Sequence, residues 1–187
     1  MKQPNSLFIT FEGGEGAGKS TLIRKVEQAL TQKGYSVLVT REPGGSPLGE
    51  QIRSMLLNPN GALSISSMAE LLLFLTARAQ HLEETIQPAL QEGKIVLCDR
   101  FNDSTIAYQG AGRGLGISRV QLLCDLVCHG LTPDLTLFLD VDPKVGLERT
   151  TTTSKENAKK GEVDRIEAEE IQFHDKIRKA FLYIADR

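Results

Sequence analysis

No stretch of this sequence is apolar for long enough to cross a membrane, and the opening Met1-Lys2-Gln3-Pro4-Asn5-Ser6 has no apolar signal-type region. Runs of lysine or arginine are missing too. The 22 basic residues are set against 24 acidic ones, a formal net charge of −2, so no nucleic-acid-binding face is advertised. A soluble, cytoplasmic protein is expected. Cysteine is scarce, with three residues that cannot all pair within one chain. Cys98 falls inside an apolar strand pattern. Cys124 and Cys128 are four apart on an expected helix beside His129, but two thiols and one adjacent imidazole fall short of a zinc set. All three read as buried, reduced thiols serving as small apolar side chains. His81 and His174 are isolated and read as ordinary helix residues. What is present is globular in kind: 40% hydrophobic and 25% charged, in 187 residues, enough for one domain with a real core.

Apolar strand patterns alternate with amphipathic helices. Strands are expected at 7–11, 36–40, 94–99 and 135–141, each a continuous apolar run, as in parallel strands covered on both faces. Helices are expected at about 19–33, 46–57, 67–92, 103–109, 118–129 and 143–152, the third opened by a cap signal, Ser67-x-x-Glu70. This alternation predicts an α/β fold, a doubly wound parallel sheet with ligands at the carboxyl ends of its strands. Residues Thr150 to Gly161 are polar, charged and poor in core formers. They read as a solvated loop or, in a phosphoryl-transfer enzyme, as a lid over the phosphates, roughly 150–165.

One octapeptide carries most of the functional information. Gly13-Gly14-Glu15-Gly16-Ala17-Gly18-Lys19-Ser20 fits G-x-x-x-x-G-K-[ST], after a strand pattern and at the start of a helix, continuing into Thr21. Glycines let successive backbone N–H groups turn inward onto phosphate oxygens, and the helix N-terminus adds partial positive charge. Lys19 reaches β- and γ-phosphates and the Ser20 hydroxyl suits Mg²⁺, so ATP-type chemistry is expected. Ile95-Val96-Leu97-Cys98-Asp99 is a second signal, an apolar strand ending in the carboxylate expected on the metal side, followed at once by Arg100. Arginines suit clamping crowded phosphates, and Arg41, Arg53, Arg78, Arg100, Arg113, Arg149 and Arg165 are candidates. Neither Asn-Lys-x-Asp nor Asp-x-x-Gly occurs, which argues against a GTPase switch. A Ser-Gly-Gly signature is also missing, against a transporter-type ATPase. A small-molecule kinase remains.

In this order, Phe11-Glu12-Gly13 through Thr21, Thr40-Arg41-Glu42-Pro43-Gly44-Gly45, Leu73-Phe74-Leu75-Thr76-Ala77-Arg78, Asp99-Arg100-Phe101, Ser104 to Gly110 and Asp164-Arg165-Ile166-Glu167 resemble the bacterial thymidylate kinases. The resemblance implies a single P-loop kinase domain over 1–187 that converts MgATP and dTMP to ADP and dTDP. It implies that Phe74 stacks on thymine, that Arg78 donates to a thymine carbonyl, and that Thr105 and Gln109 lie at the pyrimidine edge. Tyr108 would disfavour a ribose 2′-hydroxyl and Glu15 would contact the 3′-hydroxyl. Arg53 and Arg100 would bind the acceptor phosphate with Glu42 in the same loop, and Arg149 would lie near adenine. Asp99 and Ser20 would position the metal. Position 16 is Gly where one branch of the family is basic, so catalytic charge is expected from the lid, as Lys155, Lys159 or Lys160, with Lys159 and Lys160 taken as the catalytic pair. The family pattern also implies a further strand and helix after the position of Arg187, and a homodimer to which helix 67–77 supplies either interface or core. Other readings are a kinase for another nucleotide and a catalytically impaired nucleotide-binding module.

Overall fold

The computed structural model describes residues 6–57, 63–156 and 164–187. Four strands, β1 (Leu7–Glu12), β2 (Val37–Arg41), β3 (Ile95–Asp99) and β4 (Leu135–Phe138), form a parallel sheet in the order β2-β3-β1-β4. β3 shows why its sequence is uninterrupted by polar residues. Val96 and Cys98 pack with Phe8 and Phe101 on one face, while Ile95 and Leu97 pack with Phe11 and Ile23 on the other. Register places Arg41, Asp99 and Phe11 side by side, with Glu12 opposite Phe138. The last residues of β1, β2 and β3 therefore open at one edge, where the P-loop begins.

The helices are α1 (Lys19–Gln32), α2 (Pro47–Leu57), α3 (Ser67–His81), α4 (Gln87–Gln91), α5 (Asn102–Thr105), α6 (Ile117–Cys128), α7 (Pro143–Glu156) and α8 (Ile171–Ala185). Several boundaries correct the sequence expectation. The long helix expected over 67–92 contains a π-helical turn, Leu82–Ile86, between α3 and α4. The helix expected over 103–109 is only α5 before it widens into a second π-helical segment, Ile106–Gly112. Such segments are common at functional sites.

β4 stops at Phe138, short of the expected 141. One more ladder bond, Leu139 N–H to Glu12 O, closes it. Beyond that, Asp140 is gripped by both ends of the Arg178 guanidinium, and the Asp142 carboxylate accepts the Lys144 N–H at the start of α7. α7 in turn runs to Glu156, through the threonine tract read as loop. The Thr150 hydroxyl donates to Leu147 O, a helix-internal bond that sequence composition does not display. At α3 the capping residue is Ser66, whose Oγ accepts the Ala69 N–H, and not Ser67. Glu70 is thereby released from capping for another use.

Candidate active site

A cavity of about 680 Å³ opens at the carboxyl edge of the sheet. Its lining includes P-loop residues Glu15, Gly16, Ala17, Gly18, Lys19, Ser20 and Thr21, together with Glu42, Arg53, Phe74, Arg78, Asp99, Arg100, Thr105, Tyr108, Gln109 and Arg149. Residues from five separate stretches of sequence thus converge. Gly13 and Gly14 do not line it; their carbonyls accept from Lys19 Nζ at 3.1 and 2.9 Å. Burial and the nearby Arg100 charge lower the Lys19 pKa to about 8. Position 16 must be glycine here. Its φ is +63°, and a Cβ would stand 2.0 Å from Gly146 O of α7. Any basic side chain at 16 would drive α7 off the P-loop.

Arg100 joins the loop to the far wall. It occupies the left-handed region (φ 71°), a strain of about 1–3 kcal/mol that surrounding bonds must hold. Its guanidinium donates to Gly13 O (2.9 Å), Ser104 Oγ (3.1 Å) and Glu15 Oε1 (2.6 Å), and lies 5.0 Å from the Tyr108 ring centroid. Tyr108 donates its hydroxyl to the same Glu15 oxygen at 2.7 Å. Burial favours the neutral Glu15 carboxyl, but Arg100, Lys19 and the Tyr108 bond outweigh it and hold the pKa below the ordinary value. Burial pushes the Tyr108 hydroxyl well up, so it remains a donor.

Beneath Arg100 lies Glu12, a group whose role sequence reading passed over. It is 1% exposed and accepts the Phe101 N–H (2.7 Å) and the Ser104 hydroxyl. Burial, reinforced by Asp103, raises its pKa to about 7. The signal was a carboxylate ending an apolar strand just before the P-loop. Asp99, ending β3, faces Ser20: the Ser20 hydroxyl is 3.4 Å from Oδ2, while Oδ1 is buried without a hydrogen-bond partner. One hard, orphaned oxygen beside a P-loop hydroxyl fits Mg²⁺, which takes few protein ligands and completes its shell with phosphate and water.

The opposite wall is built on Arg78, 1% exposed. Its Nε donates to Glu42 Oε2 at 2.8 Å, and Nη2 lies 2.6 Å from that oxygen and donates to Thr105 Oγ1 at 2.9 Å. Phe74, one turn before Arg78, lines the same cavity as expected from the i, i+4 spacing. Glu42 is a buried partner of Arg78: burial pushes its carboxyl up, but the Arg78 charge and the His81 bond bring it below its ordinary value. Neither histidine is an ordinary helix residue. His81 is 0% exposed, with Nδ1 3.1 Å from Glu42 Oε1 and Nε2 2.7 Å from Thr40 Oγ1. His174 is buried behind the P-loop against Gly14 and Glu15, its Nε2 without a partner.

Among the candidate arginines, Arg53 lines the cavity while its Nη1 donates to Pro43 O, and Arg149 donates to Gly16 O at 3.3 Å. Arg41 lines it too, bonded to Glu50. Arg113 and Arg165 are held instead on Glu70. Asp164, Ile166 and Glu167 add to the lining, and burial with the Asp164 and Glu15 charges raises Glu167 to about 7. Lys159 and Lys160 lie outside the described residues, as do the side chains of α7 after Thr150, including Lys155. Cys98, Cys124 and Cys128 are buried thiols, each with its pKa pushed up by burial. Among the described residues no three His, Cys, Asp or Glu side chains converge on a metal position.

A parallel sheet in this order, a P-loop at its carboxyl edge and a buried arginine wall facing that loop define a P-loop kinase fold with room for a second ligand. Comparison with known proteins narrows the class. The thymidylate kinase family model matches residues 11–187. A thymidylate kinase of Protochlamydia amoebophila (strain UWE25) is 58% identical over 180 residues, 96% of this chain and 80% of that protein. One from Geobacillus sp. (strain WCH70) is 48% identical over 180 residues, 96% of this chain and 83% of the other. The crystal structure of thymidylate kinase from Ehrlichia chaffeensis superposes with a TM-score of 0.76 at 37% identity, over 98% of this chain and 88% of that one. The chain belongs to the thymidylate kinase family, and it is a phosphotransferase.

Proposed function

We propose that the protein transfers the γ-phosphoryl group of MgATP to dTMP, giving ADP and dTDP. The observation that carries this reading is the joining of two walls in one cavity, the P-loop on one side and Phe74, Arg78, Thr105 and Gln109 on the other. Phosphoryl transfer asks for positioning and for stabilisation of shifting negative charge. P-loop amides and Lys19 hold the donor phosphates, with Arg149 beside the nucleotide. Arg53 and Arg100 hold the acceptor phosphate, and Arg100, fixed by Glu15 and Ser104, is pre-aimed for it. Glu15 and Tyr108 form the floor under the deoxyribose. Phe74 offers its ring to the base, and Arg78 and Thr105 offer donors. Asp99 and Ser20 would hold Mg²⁺, whose bound charge neutralises the phosphate oxygens. Residues 150–165 act as a lid of one P-loop kinase domain, with Lys159 and Lys160 adding catalytic charge in place of a basic residue at 16.

We further propose that the enzyme is a cytoplasmic homodimer. Among the described residues no helix is long and apolar enough to cross a membrane. Leu122 and Leu126 of α6 are 68% and 67% exposed, and Met68 and Leu72 of α3, which packs on α6, are exposed as well, apolar surface suited to a second copy. Leu122→Glu with Leu126→Glu is expected to halve the mass measured by light scattering; an unchanged mass rejects this face.

The reaction is tested by ADP formation from MgATP with dTMP, dUMP, UMP, CMP and shikimate as acceptors. Turnover with dTMP well ahead of dUMP is expected. Preference for another acceptor removes the thymine assignments, and ATP binding without turnover removes the kinase.

A further inference from the structure

Glu70 is an acidic residue on the buried side of α3 and is 1% exposed. Nothing in the phosphoryl transfer uses it, yet three side chains are organised around it. Its Oε1 accepts Gln109 Nε2 at 2.8 Å and Arg113 Nε at 3.1 Å, and its Oε2 accepts Arg165 Nη2. Arg165 is also tied through Nε to Leu56 O at 3.0 Å, and Arg113 through Nη1 to Glu169. Gln109 is the one member that lines the cavity.

We propose that Glu70 is a positioning residue that sets which end of the Gln109 amide faces the base, and thereby selects a uracil-type edge over a cytosine-type edge. This rests on the reading of the cavity wall as a pyrimidine pocket. An ionised carboxylate only accepts hydrogen bonds, so it captures the NH₂ end of a neighbouring amide. Burial pushes the Glu70 carboxyl up, but the bonds from Arg113, Gln109 and Arg165 prevail and hold it below its ordinary value, so it stays ionised at neutral pH. The Gln109 carbonyl is then left for the cavity, as an acceptor. Across the pocket the polarity is opposite. Arg78 is a donor by nature, and Thr105 Oγ1, already accepting from Arg78, has its hydroxyl hydrogen free to donate. Donors at one position and an acceptor at the next match a base that offers a carbonyl beside an N–H. Cytosine presents an amino group and an unprotonated ring nitrogen at those places, so its ring nitrogen would face the Gln109 carbonyl with no proton between them. A buried polar pair left unmade is the strongest kind of discrimination a pocket has.

The test is the ratio of kcat/KM for dTMP over dCMP in the full chain. Glu70→Asp keeps the charge that Arg113 and Arg165 require, and those long side chains can follow the shortened carboxylate. Gln109 sits on the π-helical segment and cannot. The ratio is expected to fall about tenfold or more, with the ATP KM unchanged. In a Gln109→Leu background the same Glu70 change is expected to leave the ratio where Gln109→Leu put it, because the two residues act as one unit. An unchanged ratio in Glu70→Asp, or an equal fall in both backgrounds, overturns the inference. Should Glu70→Asp lose its cooperative melt, Glu70→Gln is read in its place: an amide at 70 can pair with either end of the Gln109 amide, so the ratio must again fall, and an unchanged ratio overturns the inference. A wild-type enzyme that does not prefer dTMP at all refutes the pocket assignment itself, a result distinct from either.

Discussion

Replacing Arg78 separates recognition from folding, provided the replacement is chosen from the structure. Arg78→Ala removes the partner of Glu42, a carboxylate only 5% exposed. Breaking one side of a buried ion pair costs about 3–5 kcal/mol. At about 2–4 °C per kcal/mol for a domain of this size, the melting temperature should fall by roughly 6–20 °C, and lost activity would be uninterpretable. Arg78→Lys avoids this. A lysine ammonium can still neutralise Glu42, and the contact between the Arg78 guanidinium and Phe101 (4.9 Å) is replaced by another cation near that ring. It cannot reproduce the planar fork that serves Glu42 and Thr105 together. We expect the dTMP KM to rise about tenfold to a hundredfold, the worth of one or two hydrogen bonds to a charged group. kcat should stay within a few-fold and the ATP KM should not move, because the P-loop lies on the other wall. Steady-state kinetics with each substrate varied in turn, alongside a thermal melt, measures all three. Equal rises in both KM values, or a fall in kcat alone, would refute a base-reading Arg78.

Lys19→Ala should lower kcat on the order of a hundredfold or more while the fold survives, since its bonds are to loop carbonyls only; near-normal turnover removes it from catalysis. Asp99→Asn should raise the Mg²⁺ concentration for half-maximal activity about tenfold or more, and an unchanged titration rejects Asp99 as a metal-side group. Glu12→Gln reads out a pH window. Because Glu12 is raised from 4.5 to about 7 on folding, its contribution to stability is intact below about pH 4.5 and lost as pH rises through 7. Wild type should therefore lose stability relative to the glutamine variant across that interval, on the order of 3 kcal/mol at most. A difference in melting temperature that stays flat from pH 4.5 to 7.5 would show that Glu12 does not titrate there.

The sequence by itself determined the parallel sheet, the P-loop and the placing of Asp99 at the carboxyl end of β3, because each is written in contiguous residues. Four apolar runs alternating with amphipathic helices give parallel strands, of which β1 and β3 are largely buried while the edge strands β2 and β4 stay partly exposed, and Gly13 to Ser20 carries a complete P-loop motif. Phe74 and Arg78 share one helical face by their spacing, but their place in the site was expected from the family resemblance, since a position on an apolar helix is by default core. The π-helical segments were not legible, since Leu82–Ile86 and Ile106–Gly112 are set by packing against neighbouring elements and leave no local periodicity. Nor were the uses of Glu12, Glu42, Glu70 and His81 visible. Their partners lie 89, 36, 95 and 39 residues away in Phe101, Arg78, Arg165 and Glu42. Tertiary structure also sorted the arginines, sending Arg78 and Arg100 to the cavity and Arg113 and Arg165 to Glu70. A guanidinium has no positional preference in sequence, only for the carboxylate that folding brings within reach.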